Sequence, residues 1–137
     1  MAERAFLDTN VVVYAFTEDR RSSAAQALLA RSFTISVQTL NEIVNVALRK
    51  LKRSWREIDD ACAQIIAAAS SIEQLDLACH RRAMTLARQH KLAIFDAQIV
   101  ASALQANCDT LYSEDLHDGL VIDGRLTIRN PFAAAAR

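Results

Sequence analysis

The chain has 137 residues, 52% of them hydrophobic, with 16 Lys and Arg balanced by 16 Asp and Glu, and only two Gly and one Pro. This length suits one domain, residues 1–137, with a real core, and the composition excludes a disordered chain. Zero formal net charge excludes a protein that coats nucleic acid by bulk charge, while leaving room for a local basic groove.

Residues Arg4 to Leu7 read as a short buried strand. Val11 to Phe16 is ambiguous, because its β-branched residues favour a strand while Asn10 could cap a short helix. After the polar break Glu18 to Ser22, Ala24, Ala27 and Leu28 predict a helix over Ser23 to Arg31. Phe33 to Val37 is a strand. Leu40, Ile43, Val44, Ala47, Leu48 and Leu51 form one stripe of a helix over Gln38 to Arg53. Ser54 and Glu57 make a capping-box pair that starts a second helix, running to about Ala69. Ile72 to Leu77 predicts a third strand. Ala78 to His90 predicts a helix with Ala83, Met84 and Ala87 inward. Another runs from Ile94 and stops at Asn107. Thr110 to Ser113 is a fourth strand, Gly119 and Gly124 bracket a turn region, and Leu126 to Ile128 is a fifth strand. Asn130-Pro131 ends it, and the alanine-rich tail is expected to fray.

Cys62, Cys79 and Cys108 are odd in number and fit no zinc spacing, so buried free thiols are expected, as in a reducing compartment. No apolar run reaches membrane-span length, and the opening segment reads as a strand rather than a signal peptide. A cytoplasmic protein, not a membrane one, is the expectation.

Short apolar strands alternating with helices predict an α/β fold whose mostly parallel sheet is covered on both faces. Ligands of such sheets bind beyond the carboxyl ends of the strands. Asp8 and Asp115 follow strands, and Glu42 and Asp96 lie early in helices, so the topology brings all four acids to one rim. Each is flanked by apolar residues, and carboxylates are seldom buried unless paired or bound to metal. Singly, each has a structural explanation: Asp8 capping a turn, Glu42 on the polar side of its helix, Asp96 favoured by the helix dipole, Asp115 in a solvated acidic loop. Together they read as a site for Mg²⁺, or Mn²⁺, since the donors are hard oxygens. The chemistry implied is phosphodiester hydrolysis by water.

Phe6-Leu7-Asp8-Thr9-Asn10, Ile35-Ser36-Val37-Gln38-Thr39-Leu40-Asn41-Glu42, Phe95-Asp96-Ala97-Gln98-Ile99-Val100-Ala101-Ser102-Ala103 and Leu111-Tyr112-Ser113-Glu114-Asp115-Leu116 occur in that order. In this arrangement the chain resembles the PIN-domain nuclease family, and in particular the VapC-type toxins of bacterial toxin–antitoxin pairs. The family's acidic quartet would fall on Asp8, Glu42, Asp96 and Asp115. Ser113 stands where Thr is frequent, Asp118 matches an acid of some relatives, and Glu114 occupies a more variable position. The resemblance implies a three-layer α/β/α sandwich, Mg²⁺-dependent ribonuclease activity on RNA, a homodimer and a cognate antitoxin. Asp8, Asp96 and Asp115 would face the metal, and Glu42 would complete the site or orient the attacking water. An apolar groove would receive the antitoxin, with a basic side chain reaching the acids.

Thr9, Asn10 and Ser113 are expected to hydrogen-bond the carboxylates or cap the local turns. Arg49, Lys50, Lys52, Arg53 and Arg56 either approach RNA phosphates or form a solvated face. Trp55 is expected to pack the turn between two helices rather than stack on a base. Arg81, Arg82 and Arg88 read as helix exterior, and the dispersed His80, His90 and His117 receive no catalytic role. Two rival functions remain open. One is an aspartyl-nucleophile phosphatase on Asp8, against which stands Asn10 where that chemistry wants a second Asp. The other is a catalytically idle module that binds RNA or protein.

Overall fold

A computed structural model describes residues 3–133. The alanine-rich tail expected to fray lies, from residue 134 on, outside them. A six-stranded sheet carries the order β3-β2-β1-β4-β6-β5. Its strands are β1 (Ala5–Leu7), β2 (Phe33–Ser36), β3 (Ser71–Glu73), β4 (Thr110–Tyr112), β5 (Val121–Ile122) and β6 (Leu126–Arg129). All pairings are parallel except β5 with β6. The helices are α1 (Thr9–Tyr14), α2 (Ser22–Leu29), α3 (Val37–Arg49), α4 (Trp55–Ala68), α5 (Leu77–His90) and α6 (Ile94–Gln105).

Strand alternation sends successive side chains to opposite faces. Phe6, Leu111, Leu126 and Ile128 join α5 and α6 in one apolar cluster. Leu7, Phe33 and Ile35 join Val11 and Val12 of α1, Leu28 of α2, Ile43 of α3 and Ile65 of α4 in the other. The result is the expected α/β/α sandwich. Every residue of α6 from Ile99 to Leu104 is buried, because the helix lies between the sheet cluster and α5; three alanines (Ala97, Ala101, Ala103) permit the close approach.

Several elements differ from expectation for identifiable reasons. The ambiguous Val11 to Phe16 run is helical, and its cap is Asp8, which accepts from the Thr9 amide, not Asn10. The third strand ends at Glu73; Asp76 caps α5 through the Cys79 amide, so Leu77 begins a helix and is 61% exposed. α3 ends at Arg49 because Lys52 adopts a left-handed backbone, φ 54°, after which the Ser54–Glu57 capping box opens α4. The region between Gly119 and Gly124 hides β5. Asp123 and Gly124, at φ 53° and 62°, carry its hairpin turn into β6, a geometry that Asp-Gly favours. Met84 is exposed and Leu86 takes the inward position. Cys79 and Cys108 are buried, but Cys62 is only half-buried. Trp55 is not packed in a turn: as the first residue of α4 it is 62% exposed.

Candidate active site

β1 and β4 run parallel and adjacent, with Leu7 opposite Tyr112. Asp8 and the Ser113–Leu116 loop therefore leave the sheet side by side. α3 departs from the end of β2 and brings Glu42 to the same edge, and the first turn of α6 brings Asp96. The four carboxylates line one cleft of about 510 Å³ together with Thr9, Asn10, Lys50 and Phe95. The flank of Asp96 is less buried than the sequence suggested, for Phe95 is 71% exposed and Ile94 40%, whereas Leu7 beside Asp8 and Leu116 beside Asp115 are buried.

Asp8 is the buried member, 7% exposed. Its Oδ1 accepts from the Thr9 amide at 2.7 Å and its Oδ2 from Ser113 Oγ at 2.8 Å. The Ser113 hydroxyl in turn accepts from the Asp115 and Leu116 amides at 3.2 and 3.3 Å. One serine thus fixes Asp8 and folds the loop that carries Asp115. Thr9 Oγ1 donates to Glu42 Oε2 at 2.7 Å, and Gln38 Nε2 donates to Glu42 Oε1 at 2.6 Å. Asn10 Nδ2 donates to Asp115 Oδ2 at 2.9 Å. Among the described residues no side-chain hydrogen bond reaches the Asp96 carboxylate, which is partly buried in the first turn of α6.

The electrostatics follow from this crowding. Burial pushes the Asp8 carboxyl up to about 6; the Ser113 hydroxyl and Thr9 amide pull it partly back, and the charges of Glu42 and Asp115 raise it again. Burial also raises Asp96, assisted by Asp115 and Glu42. Like charges within interaction range of one another favour either protonation or a cation. Among the described residues no three His, Cys, Asp or Glu side chains already form a metal-ligand cluster. An all-oxygen set at this looser spacing still fits Mg²⁺ or Mn²⁺, because a small hard ion keeps several waters and binds proteins through one or two carboxylates.

The other expected residues separate by position. Lys50 reaches the cleft wall, whereas Arg53 pairs with Glu57 at 3.4 Å and faces a different groove. Arg49, Lys52 and Arg56 are exposed, as are Arg81 and Arg88. Arg82 pairs with Asp123 at 3.6 Å. Asp118 accepts from the Asn130 amide at 2.8 Å, holding the end of β6. Glu114 accepts from Tyr14 Oη and pairs with Arg21, which also grips Asp19 and thereby holds the Asp19 carboxyl well below its usual range. The sequence alone assigns no contact to Gln38 and does not join Tyr14, Arg21 and Glu114. Gln38 lies four residues before Glu42 on one helix, a spacing that signals the contact; Arg21 and Glu114 are 93 residues apart and nothing local links them.

A mostly parallel sheet with four carboxylates lining one cleft at its carboxyl edge defines an α/β protein with an acidic cleft. The sequence profile of the PIN domain matches residues 5–117, and the chain belongs to the PIN domain family, which gives it the fold of a nuclease-type hydrolase. No protein with a curated description matches it in sequence. Solved structures share the fold. VapC20 of Mycobacterium tuberculosis, a toxin that cleaves the sarcin–ricin loop, superposes with a TM-score of 0.68 at 19% identity, over 81% of this chain and 89% of that one. A toxin–antitoxin complex from Klebsiella pneumoniae gives 0.69 at 24% identity, over 93% of this chain and 97% of that one. VapBC2 from Rickettsia felis, bound to a DNA fragment from its promoter, gives 0.57 at 22% identity, over 81% and 87%. Among the described residues no helix is long and apolar enough to cross a membrane.

Proposed function

We propose that the protein is a Mg²⁺- or Mn²⁺-dependent endoribonuclease and the toxin of a toxin–antitoxin pair, acting in the cytoplasm as a homodimer. One observation carries the catalytic part: four carboxylates, drawn from positions 8 to 115, line a single cleft. Asp8, Asp96 and Asp115 would hold the ion, and Glu42 would complete the site. When bound, such an ion lowers the pKa of water and offsets charge developing on a phosphoryl oxygen.

The chain's own groups supply placement. Thr9 and Ser113 restrain both oxygens of Asp8, Thr9 and Gln38 restrain both oxygens of Glu42, and Asn10 restrains Asp115. Preset carboxylates need little reorganisation when charge develops beside them. Glu42 is suited to accept a hydrogen bond from the attacking water, and Lys50 to neutralise an RNA phosphate at the wall. Against the phosphatase reading, the side chain two residues after Asp8 is the Asn10 carboxamide, which is not an acid and which bonds Asp115.

The antitoxin reading is supported by a second groove of about 290 Å³. Val13, Phe16, Ile43, Ala47, Leu51 and Ile58 line it, and Val13 and Leu51 also belong to the acidic cleft. An amphipathic segment laid there could extend a basic side chain to the acids. Purified, inhibitor-free protein incubated with total RNA should cut it in Mg²⁺ or Mn²⁺, leaving 3′-hydroxyl and 5′-phosphate ends, and should stop on addition of chelator. RNA that stays intact in both metals would leave the idle binding module as the better description.

A further inference from the structure

Asp115 is the exposed member of the cleft quartet, and it sits on a loop with no helix or strand to set its direction. Its neighbour Glu114 is held by the end of α1 and the α1–α2 connection. Tyr14 Oη donates to Glu114 Oε1 at 3.0 Å and Arg21 Nη1 donates to Oε2 at 2.8 Å. The same guanidinium grips both oxygens of Asp19, at 2.8 and 3.0 Å. It also lies 4.0 Å from the centre of the Tyr14 ring, whose edge packs against Phe132 at 5.3 Å between centroids. Arg21, Asp19 and Glu114 are all partly shielded, with side-chain exposures of 22%, 29% and 25%.

An isolated surface ion pair contributes little. A planar fork that bonds two carboxylates and stacks on a ring has its geometry set from three directions. Here that fork joins the end of α1, the connection from α1 to α2 and the loop after β4. Thr17, Glu18 and Asp19 of the connection line the same cleft as Asp115. Arg21 also offsets the charge of Asp19 and Glu114 at a mouth that must admit a polyanion.

Resting on the nuclease proposal, we infer that Arg21 and Glu114 form a positioning clamp that fixes the Asp115 carboxylate at the cleft and holds the α1–α2 connection as a wall of the same cleft. Neither side chain needs to touch RNA or metal. The clamp acts through backbone, since Glu114 and Asp115 are consecutive and Asn10 ties both, accepting from the Glu114 amide at 3.4 Å and donating to Asp115.

Arg21→Ala, Arg21→Lys, Glu114→Gln and the double variant Arg21→Ala/Glu114→Gln test this in the full chain. Each single removal should lower kcat by about tenfold with KM for RNA nearly unchanged, as expected for a slightly misplaced catalytic group. The double variant should be no worse than either single one, and Arg21→Lys, which keeps charge but loses the fork, should stay closer to Arg21→Ala than to the parent. Amide hydrogen exchange over residues 113–118 should quicken in each removal variant while the sheet keeps its protection. Losses that add in the double variant, unchanged exchange in that loop, or recovery of the full rate by Arg21→Lys would overturn the clamp. Should Arg21→Ala fail to fold, Glu114→Gln carries the same comparison against Arg21→Lys. If the parent protein cuts no RNA in any divalent metal, the nuclease proposal falls, and loop exchange alone decides the clamp: released in the variants it stands, unchanged it does not.

Discussion

The two ends of α6 are treated in opposite ways. At its carboxyl end the terminal carbonyls meet cations: Arg4 Nη2 donates to the Ala106 carbonyl at 2.8 Å and Arg125 Nη2 to that of Leu104 at 3.3 Å. Arg125 also bonds Asn107 Oδ1 at 3.1 Å, and Asp109 accepts from the Arg4 amide at 3.0 Å. Each charge there has a partner suited to the helix dipole. At the amino end, Asp96 also suits the dipole, yet it faces Asp115 and Glu42, whose charges raise its pKa, and Ile94 and Phe95 beside it stay exposed. Charges matched within the chain serve the fold. Charges concentrated without a match are relieved by protonation or by a cation, and such crowding marks a candidate site rather than a scaffold.

That contrast can be broken most severely at the cleft. Asp8→Asn and Asp96→Asn should each lower RNA cleavage by a factor of about a hundred or more, since each removes a charge that the proposed metal-assisted chemistry would use. Unchanged circular dichroism should accompany the loss. Near-normal cleavage by both variants in saturating Mn²⁺ would remove these residues from the site.

Next comes the response to pH and metal. Asp8 is raised from 3.8 to about 6, so the folded protein keeps a proton that the unfolded chain releases. Its contribution to metal-free stability is therefore best below about pH 4 and declines as pH rises through 6, by at most about 3 kcal/mol. Melting temperatures in chelator should fall across that window, and Mg²⁺ should flatten the curve. A curve with chelator that is already flat would show that Asp8 carries no such strain.

Smaller effects are expected from the side chains that hold the acids. Ser113→Ala removes a charge-assisted hydrogen bond of a kind that contributes about 1.5–3 kcal/mol, so cleavage should fall by about tenfold or more. The apparent affinity for Mn²⁺, read by titration of activity, should weaken with it. The smallest change belongs to the matched end of α6. Arg4→Met should cost about 1 kcal/mol in denaturant titration and leave the cleavage rate per folded molecule unaltered. A loss of activity there, with stability intact, would mean that the two ends are coupled through the helix.

Much of this molecule was legible along the chain. The Ser54–Glu57 capping box, the apolar stripe of α3 and the buried strands are local signals, and local physics sets them. The placement of Asp8, Glu42, Asp96 and Asp115 on one rim was legible too, because parallel strands all deliver their carboxyl ends to the same edge. Less readable was the hairpin of β5, only two residues long, whose one local signal is the Asp123-Gly124 pair. Trp55 and Met84 went astray because an apolar residue at a helical position may face either way, and only the neighbouring elements choose.

Residue order settles which segments can be helix or strand and which carboxylates can share an edge, since both depend on period and on chain direction. It does not settle which acid becomes the buried one, which threonine holds Glu42, or that Arg21 will find Glu114. Those depend on distances between groups far apart along the chain, and such distances exist only after the sheet, α1 and α6 have packed against one another.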